Sequence, residues 1–386
     1  MDQSCDVVVI GAGASGLLCA GLLAEQNLEV ILLEKNEKVG RKLAATGNGR
    51  CNFTNRNMDV SHYYGDSAWI ESVLSAWKVD EIVRQFESMG VYHRERDGYL
   101  YPYTNQAVTV VNALQSFCLD NGVKLYTGCK VTSIQRGKQK YRYRVRTSNG
   151  VVDATYLVLA TGGTANEPLG ADGSGYKLAK GLGHHVTPIY PGLTGLICKG
   201  NWWKKVAGTR VLGRFSLNLD GKEIAGECGE IQITREGVSG IPVFQLSRVV
   251  AEALDQGKRV EGVIDFIPGM TSEQLSEWMD EYGIQGIVPL KWVPVLSGRE
   301  LNASLLKRFS FEVTDTMGME RAQVSAGGVY LDEVSAQTME SKKAEDVFLI
   351  GEILDADGMC GGYNLHFAWC TALTAAMSIC DTYYED

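Results

Sequence analysis

The stretch Val7–Lys35, VVVIGAGASGLLCAGLLAEQNLEVILLEK, decides the fold of this chain. Its apolar residues predict a buried strand over Val7–Ile10, a helix over Ser15–Gln26 and a second strand over Val30–Leu33. Glycines mark the turn into the helix, and an acidic residue follows the second strand. This order is typical of a βαβ unit that binds a dinucleotide; the alternative is a βαβ turn without a ligand.

The glycines are Gly11, Gly13 and Gly16, in G-x-G-x-x-G spacing. The first lets the chain turn sharply, the second lets a pyrophosphate approach the backbone, and the third lets helix and strand lie close together. Glu34 lies 18 residues after Gly16, where its carboxylate accepts hydrogen bonds from ribose hydroxyls and disfavours a 2′-phosphate. We therefore expect FAD or NAD rather than NADP, with the helix N-terminus facing the phosphates. The expected contacts also include Ala14, Ser15 and Lys35.

The composition is that of a globular protein. With 386 residues, of which 45% are hydrophobic and 22% charged, the chain is long enough for two or three domains. The formal net charge of −9 argues against nucleic acid or an anionic membrane surface as the main partner. The N-terminus does not resemble a signal peptide, and no apolar run reaches the ~18 residues that span a bilayer. We expect a cytoplasmic protein.

Neither cysteines nor histidines predict a metal site. The ten cysteines form no C-x-x-C pair and no zinc spacing, so we expect reduced core residues. Cys51 and Cys360 lie singly in separate loops, which disfavours an active disulfide. His184 and His185 are adjacent, and on a strand they would face opposite sides.

A glycine- and asparagine-rich loop follows the βαβ unit over Val39–Asn55, VGRKLAATGNGRCNFTN, and we expect neither helix nor strand there. Arg41, Lys42 and Arg50 make the loop basic, which suits it to wrap a dinucleotide with backbone N–H groups and cations. A solvated surface loop is the alternative. The same expected site includes Gly47 and Asn52.

The segments GAGASG and GRKLAATGNGRCNFTN resemble the BaiN-like and aminoacetone-oxidase-like FAD-dependent oxidoreductases, within the wider glutathione-reductase-like flavoproteins. The resemblance extends over nearly the whole chain. It implies an α/β fold, in which a Rossmann-like FAD-binding domain carries an inserted β-barrel domain and a small helical subdomain. The corresponding boundaries are 1–185 with 315–386, 186–264 and 265–314.

Between the basic loop and the insertion, periodicity predicts two helices, a tyrosine-rich extended segment and three strands. They are Trp69–Met89, Gln106–Asn121, Asp97–Thr104, Lys124–Tyr126, Val131–Gln135 and Tyr141–Thr147, with a basic turn over Arg136–Lys140. The tyrosines of the extended segment either face a substrate or form a half-buried strand. The resemblance implies that the backbone at Val131 contacts the adenine.

A buried strand over Tyr156–Gly163 ends in A-T-G-G, a sequence typical of flavoproteins, so Thr161 and Gly162 are expected near the dinucleotide. Gly170–Gly183 opens a further helix. It is a poor second nucleotide loop for NAD(P)H, because no strand leads directly into its glycines.

The composition changes over Val186–Ile264, where short β-compatible pieces alternate with glycine turns and indicate an inserted barrel or sandwich. The pieces are Leu193–Lys199, Val211–Leu219, Lys222–Ala225 and Glu230–Thr234, with a hairpin at Asn218–Lys222. Thr234–Leu246 resembles the family segment T-x-x-G-x-S-G-P, with Arg235 in place of the usual histidine. Helices are expected over Ser272–Glu281 and Asn302–Phe309.

The end of the chain is expected to return to the first domain, with a strand over Asp346–Gly351 and a buried apolar helix over about Asn364–Asp381. The helix N-terminus would face the flavin pyrimidine and stabilise negative charge on the reduced ring by ~1–2 kcal/mol. A buried helix with a glycine cap is the alternative. The expected contacts here are Glu352, which by resemblance binds ribityl hydroxyls, Asp357, Gly362, Asn364 and Leu365.

The resemblance implies hydride transfer through the flavin, for which the protein positions the substrate and moves a proton. The candidate catalytic residues are Arg50, Tyr101, Tyr103, Tyr363 and His366. We predict a reductase that takes electrons from NADH or NADPH and reduces a C=C bond conjugated to a ketone, with bile-acid or steroid-like 3-oxo-4-enes as the implied substrates. The alternatives are an oxidase of amines or amino ketones, a tRNA-modifying flavoprotein, which the acidic charge disfavours, and a flavin-binding protein without turnover. The expected partner is a small molecule, without nucleic acid or membrane.

Overall fold

The computed structural model describes residues 2–137 and 141–385. Residues 138–140, in the basic turn predicted over Arg136–Lys140, lie outside the described residues. The chain divides into two compact units, one formed by Met1–Ile189 with Val324–Asp386 and the other by Tyr190–Gln323. Residues 265–314, expected as a helical subdomain of their own, lie within the second unit in this division.

The first unit contains both strands and helices up to residue 189. The strands are β1 (Asp2–Ile10), β2 (Val30–Leu33), β3 (Thr54–Asn55), β4 (Tyr63–Tyr64), β5 (His93–Arg96), β6 (Tyr99–Pro102), β7 (Lys124–Tyr126), β8 (Val131–Arg136), β9 (Tyr143–Thr147) and β10 (Gly150–Leu159). The helices are α1 (Ala14–Glu25), α2 (Arg41–Gly49), α3 (Ser67–Ser75), α4 (Val79–Ser88), α5 (Ala107–Asp120) and α6 (Ser174–Gly181).

The second unit is richer in strands, and the chain then completes the first unit. The strands of the second unit are β11 (Tyr190–Gly192), β12 (Leu196–Cys198), β13 (Arg210–Leu219), β14 (Lys222–Ile233), β15 (Gly237–Ser239), β16 (Val260–Asp265) and β17 (Phe309–Thr316). Its helices are α7 (Trp203–Val206), α8 (Ile241–Asp255), α9 (Ser272–Tyr282), α10 (Val293–Ser297) and α11 (Ala303–Lys307). The returning elements are β18 (Val324–Ala326), β19 (Val347–Leu349), β20 (Asp357–Gly358) and α12 (Tyr363–Glu385).

The main sheet of the first unit has the order β7-β2-β1-β10-β9-β8, and β19 also pairs with β10. Val7–Ile10 of β1 run parallel both to Val30–Leu33 and to residues 156–159 of β10. These segments are buried, which explains why their sequences are continuous apolar runs rather than alternating ones. The predicted βαβ unit is therefore confirmed.

Helix α12 brings the end of the chain to its beginning. It contacts α1 over much of its length, and most of its residues up to Ile379 are buried, as its apolar sequence predicts. The indole Nε1 of Trp369 donates to the carbonyl oxygen of Phe53 at 2.8 Å, so the helix also holds the segment that leads into β3. No helix in the described ranges is long and apolar enough to cross a membrane.

The second unit contains a closed barrel with the order β12-β15-β14-β13-β16-β17, so the structure selects the barrel over the sandwich. Its core includes the fully buried rings of Trp203, Phe215, Trp292 and Phe309. Two sequence expectations differ from this structure. Lys222–Ala225 and Glu230–Thr234 fall largely in the one long strand β14, and helix α8 lies in a region expected to be β-rich.

The basic loop Val39–Asn55, expected to lack regular structure, contains α2 and β3. The residues RKLAA after Gly40 favour helix, and helical geometry ends only at Thr46–Asn48, where the glycine-rich sequence begins. The single helix expected over Trp69–Met89 is two helices, α3 and α4. Glu81 accepts a hydrogen bond from the backbone N–H of Lys78 at 2.7 Å, which starts the second helix there.

Candidate dinucleotide and substrate site

The turn from β1 into α1 gives each glycine a distinct role. Gly11 has φ +104°, and a Cβ there would lie 2.4 Å from the carbonyl oxygen of Ala160. A Cβ on Gly16 would lie 1.9 Å from the carbonyl oxygen of Gly11, so this glycine permits the close approach of helix and turn. A Cβ on Gly13 would meet no atom of the described residues within 4 Å. The space beside Gly13 is where a pyrophosphate fits.

Helix α1 begins at Ala14 without a side-chain cap from the described residues. Its first intrahelical hydrogen bond runs from the N–H of Leu17 to Gly13, so the N–H groups of Ala14, Ser15 and Gly16 remain available for an anion. Ser15 itself is buried, and a Cβ on Gly351 would lie 2.6 Å from its Oγ. The first turn of α1 thus lies beside the end of β19.

Glu34 is buried at the end of β2, as the sequence predicts. Its carboxylate accepts hydrogen bonds from the N–H of Ala12 at 2.9 Å, from the N–H of Asn36 at 2.9 Å and from the side chain of Asn36 at 2.6 Å. These bonds fix the carboxylate next to the glycine turn. A carboxylate has about four acceptor positions, so it retains capacity for a ribose hydroxyl.

Lys35 and Arg41, both expected to contact the dinucleotide, instead bond to the loop that precedes α6. Lys35 Nζ lies 2.6 Å from Asp172, and Arg41 donates to the carbonyl oxygen of Pro168 at 2.8 Å. Burial alone would raise the pKa of Asp172, but the bonds from Lys35 and Ser174 outweigh it and hold this pKa well below its ordinary value. The loop before α6 therefore closes over the strand end that carries Glu34.

The end of β10 carries the predicted A-T-G-G segment. Thr161 Oγ1 is buried and has no hydrogen-bond partner among the described residues, and a Cβ on Gly175 would lie 1.7 Å from it. Gly162 has φ +66°, which favours glycine at this position. Val131, the first residue of β8, is buried and pairs with Thr147. An unpartnered buried hydroxyl is costly, so Thr161 points to a missing polar partner.

Lys42 and Glu352 form a partly buried ion pair. Lys42 Nζ lies 2.7 Å from each carboxylate oxygen of Glu352, and the N–H of Ser325 donates to the same carboxylate at 2.8 Å. The hydroxyl of Ser325 in turn accepts from the N–H groups of Thr164 and Ala165. The predicted ribityl-binding acid is thereby held between the basic helix and the end of β10.

The end of α2 is left-handed over several residues. Gly47, Asn48 and Gly49 have φ of +61°, +54° and +80°. Successive backbone N–H groups in such turns can surround an anion. Asn52 follows this segment; it is buried, and its Oδ1 has no partner among the described residues. A Cβ on Gly362 would lie 3.0 Å from that oxygen, so Asn52 faces the start of α12.

The side chain of Asn364 fixes the start of α12 by bonding to the backbone of Gly358. The side chain of Asn364 accepts from the N–H of Gly358 at 2.8 Å and donates to its carbonyl oxygen at 2.6 Å. The N–H of His366 bonds to Gly362, so the N–H groups of Asn364 and Leu365 precede the helical ladder. Asp357 is buried on β20, which pairs with β4.

His366 has no exposed surface. Its Nδ1 lies 2.8 Å from the hydroxyl of Thr54, and its Nε2 has no partner in the described part of the chain. Burial lowers the pKa of His366 to about 4, so the ring is neutral near pH 7. Like Thr161 Oγ1 and Asn52 Oδ1, this Nε2 atom is buried and unpartnered, and the catalytic role of His366 stays a prediction.

The other candidate catalytic residues differ in exposure. Tyr363 is buried, its ring stacks on His62 at 4.4 Å, and burial raises its pKa to about 12. Tyr103 is 66% exposed and lies beside the ring of Tyr92, which is equally exposed. Arg50 is exposed; its backbone N–H donates to the carbonyl oxygen of Gly47, and its guanidinium has no hydrogen bond or ion pair with the described residues. Tyr101 is half-buried on β6, as the strand interpretation predicts.

A hydrogen-bond network elsewhere in this unit was missed. His184 and His185 do not lie on a strand, so the rule that neighbours on a strand face opposite sides does not apply to them, and their Nδ1 atoms both contact Glu333, at 3.1 Å and 2.6 Å. Ser341 Oγ lies 2.8 Å from Nε2 of His184. Burial opposes ionisation of Glu333, but the histidine bonds outweigh it and lower its pKa to about 2. These residues are about 150 positions apart, so local spacing carries no signal for them.

The cysteines form no disulfide among the described residues. Burial raises the pKa of both Cys51 and Cys360 to about 12, so both thiols are protonated at neutral pH. No group of three or more histidine, cysteine, aspartate or glutamate residues in the described ranges is arranged to hold a metal ion.

Open space at Gly13, a fixed acid at the next strand end and unpartnered buried polar atoms at Thr161 and Asn52 fit a bound dinucleotide. The fold and this site define a Rossmann-type flavin-dependent oxidoreductase. The family model described as the HI0933-like protein Rossmann domain matches residues 5–378, and the chain belongs to this family of FAD-binding proteins.

Several curated relatives match almost the whole chain. The 3-dehydro-bile acid delta(4,6)-reductase of Clostridium scindens is 37% identical and covers 95% of this chain and 97% of its own length. The ribosomal RNA dihydrouridine synthase of Haemophilus influenzae is 28% identical, with 98% and 99% covered. Among solved structures, the 3-ketosteroid-delta4-(5alpha)-dehydrogenase of Rhodococcus jostii RHA1 is similar in fold, with a TM-score of 0.53 at 14% identity and 98% and 97% of the two chains covered.

Proposed function

We propose that this chain reduces a C=C bond conjugated to a ketone in bile-acid or steroid-like 3-oxo-4-enes, with FAD as cofactor and NADH or NADPH as electron donor. The observation that carries the proposal is its 37% identity, over nearly its full length, to a reductase of 3-dehydro-bile acids. A small-molecule substrate and a cytoplasmic location belong to the same proposal. The oxidase alternative is not favoured, because neither full-length relative named above is an oxidase.

Bound FAD supplies a site that accepts a hydride from the nicotinamide and delivers it to the substrate. The overall reaction converts NAD(P)H, a proton and the enone into NAD(P)⁺ and the saturated ketone. The hydride goes to the carbon β to the carbonyl, and the proton goes to the α-carbon. The protein therefore has to hold the cofactor, orient the enone and supply one proton.

In this proposal, the cofactor is held from both ends of the chain. The open space at Gly13 and the N-terminus of α1 take the pyrophosphate, and Glu34 takes the adenosine ribose. Glu352, already oriented by Lys42, takes ribityl hydroxyls. The N-terminus of α12 provides positive potential for the pyrimidine edge of the reduced ring.

Tyr363 is the proposed source of the proton. Its phenol keeps its proton well beyond neutral pH, because burial raises its pKa to about 12. It lies at the first position of α12, next to the proposed pyrimidine edge. Replacing it with phenylalanine is expected to slow oxidation of the reduced flavin by the enone about 10²-fold, without changing flavin reduction by the nicotinamide.

Anaerobic stopped-flow measurements test the proposal. We expect NADH or NADPH to bleach the flavin and a 3-oxo-4-ene to restore its colour, with the saturated ketone as product. Release of peroxide with an amino ketone, without bleaching by either nicotinamide, would instead support the oxidase.

A second candidate function is reduction of uridine in ribosomal RNA, because a relative with that activity matches 98% of this chain. The chemistry is closely similar, since the C5=C6 bond of uracil is also conjugated to a carbonyl group. The net charge of −9 disfavours an RNA partner. Mass spectrometry of ribosomal RNA from cells lacking the gene separates the two functions: loss of dihydrouridine would support the RNA activity.

A further inference from the structure

One face of the β5–β6 hairpin carries arginines opposite tyrosines. Across this antiparallel pair, Arg94 lies opposite Tyr101 and Arg96 lies opposite Tyr99. Because side chains alternate along a strand, these four project from the same side, and the buried Leu100 lies on the other. The guanidinium carbon of Arg94 is 5.8 Å from the centre of the Tyr101 ring. We call these four residues, together with Arg50, the Arg–Tyr face.

The Arg–Tyr face is continuous with the start of α12. A Cβ on Gly361 would lie 3.2 Å from the ring of Tyr99 and 2.8 Å from the ring of Tyr363. Asn55 lies opposite Tyr99 on the neighbouring strand and donates to the carbonyl oxygen of Gly361 at 2.9 Å. A molecule lying on this face therefore reaches the helix end that we assign to the flavin pyrimidine.

The face is cationic in a chain whose net charge is −9. Arg50 is exposed and lies three residues before Phe53, whose N–H donates to the carbonyl oxygen of Leu100 at 3.0 Å, so Arg50 belongs to the segment that runs beside β6. Burial raises the pKa of Tyr101, and the positive charge of Arg50 opposes this effect. Glu95 of the same hairpin lies on the opposite face and pairs with Arg56 at 3.1 Å. Asp97 lies 3.5 Å from Arg96, but both side chains are about four-fifths exposed, so this pair is weak.

Arg94 is already oriented for binding. One of its terminal nitrogens donates to the side chain of Asn105 at 2.7 Å, and its stacking above Tyr101 fixes the plane of the guanidinium. A guanidinium held in this way offers its remaining N–H groups to a carboxylate in a fixed geometry. Arg50 supplies a second positive charge to the same face.

We propose that the Arg–Tyr face binds a substrate that combines a flat ring system with a carboxylate. Tyr99 and Tyr101 contact the rings, and the guanidinium groups of Arg50 and Arg94 bind the carboxylate. This inference rests on the proposed reduction of an enone and adds that the natural substrate is an acid rather than a neutral steroid. A single-stranded RNA, which also combines flat rings with negative charge, is the competing ligand in the test.

Two matched substrates test the inference in the FAD-loaded protein: a 3-oxo-4-ene steroid with a side-chain carboxylate, and a neutral 3-oxo-4-ene of the same ring system. We expect Arg94→Gln to raise KM for the acid about tenfold, with kcat unchanged and KM for the neutral substrate unchanged, and Arg50→Gln to raise KM for the acid more than KM for the neutral substrate. For the wild-type protein, KM for the acid is expected to rise with salt. Arg84→Gln, at an exposed arginine on α4, is the control that changes neither KM.

Equal losses for the acid and the neutral substrate would overturn the inference, as would no change with either. Arg94→Lys, which keeps the charge, is expected to recover part of the affinity for the acid. If no enone reoxidises the flavin, the proposed function fails, but equilibrium dialysis with a saturated steroid acid still tests the face: weaker binding by both glutamine variants supports it, and unchanged binding overturns it. Preferential binding of single-stranded RNA, lost in Arg94→Gln, would also overturn it.

Discussion

His366 shows how burial decides the charge of one residue next to the proposed flavin site. The ring is fully buried, bonds to the hydroxyl of Thr54 and has a pKa of about 4, because its charged form would lose its hydration. Positive potential at this place is therefore assigned to the N–H groups of α12 and not to an imidazolium. Because its charge does not change between pH 5 and 8, His366 would add nothing to the pH dependence of the flavin potential over that range.

The neutral state of His366 predicts acid sensitivity. Its folded pKa of about 4 lies below its ordinary value of 6.5, so the unfolded chain binds the proton first as the pH falls. The free energy of unfolding is therefore highest above pH 6.5 and decreases below it, by about 2 kcal/mol at pH 5. Urea unfolding should show this loss in the wild-type protein and a flatter pH profile in His366→Gln.

Glu34 predicts a loss of cofactor affinity. In Glu34→Gln, the anionic acceptor beside the ribose is replaced by a neutral amide, and we expect the Kd for FAD to rise about tenfold. Quenching of FAD fluorescence on titration measures it. Glu25→Gln, at an exposed position at the end of α1, should bind FAD as the wild type does. An unchanged Kd in Glu34→Gln would remove the assignment of the ribose to this acid.

At the scale of the elements, the β1–α1 turn contains two glycines, three residues apart, with different roles: one is needed for ligand binding and the other for folding. The backbone at Gly13 has φ −84° and ψ −162°, which alanine adopts without strain, and its Cβ position is open. At Gly16, a Cβ would collide with the backbone of Gly11. The same chemical change therefore has opposite consequences at the two positions.

We expect Gly13→Ala to unfold within about 0.5 kcal/mol of the wild type yet bind FAD at least tenfold more weakly, since the methyl group fills the space for the pyrophosphate. Gly16→Ala should lower the free energy of unfolding by on the order of 3 kcal/mol. Denaturant unfolding and FAD titration distinguish the two effects. Full FAD affinity in a folded Gly13→Ala protein would contradict the placement of the phosphates.

The same elements show what the sequence could predict. The βαβ unit, a β-rich insertion and α12 were predictable, because continuous apolar runs and periodic patterns report burial directly, whereas the patterns did not distinguish a barrel from a sandwich. Helix α2 was missed because its five helix-forming residues are followed immediately by the left-handed segment at Gly47. Strand β14 looked like two strands because Gly226 and Gly229 interrupt its pattern.

At the scale of the whole molecule, the proposed cofactor should stabilise the folded protein, because it binds residues from both of the distant parts of the chain that form the first unit. A ligand that binds only the folded state stabilises it by about 2.7 kcal/mol at a hundredfold excess over Kd. We expect FAD to raise the Tm of the apoprotein, and riboflavin, which lacks the pyrophosphate and the adenosine, to raise it far less. Equal shifts with both ligands would show that the β1–α1 turn does not hold the dinucleotide.

Much less of the candidate site could be predicted than of the fold. The glycines and Glu34 were identified because their spacing is local, within one βαβ unit. The ion pair of Lys42 with Glu352 joins residues 310 positions apart, and the contact between His184 and Ser341 joins residues 157 apart. These contacts form only when the fold brings distant parts of the chain together, so local spacing does not predict them. Arg94 was overlooked because an arginine in a short polar strand has the pattern of a solvated face.

The contact between α1 and α12 has a consequence for biosynthesis. The ribosome makes the glycine turn at Gly13 long before Gly362, and at about 5–20 residues per second the interval is roughly 20–70 s. During this interval the apolar surface of α1 lacks its partner helix and is open to chaperones and to aggregation. Nascent chains stalled before residue 363 should consequently lack bound flavin and be colourless, and the supply of riboflavin should influence the yield of protein only after α12 has been synthesised.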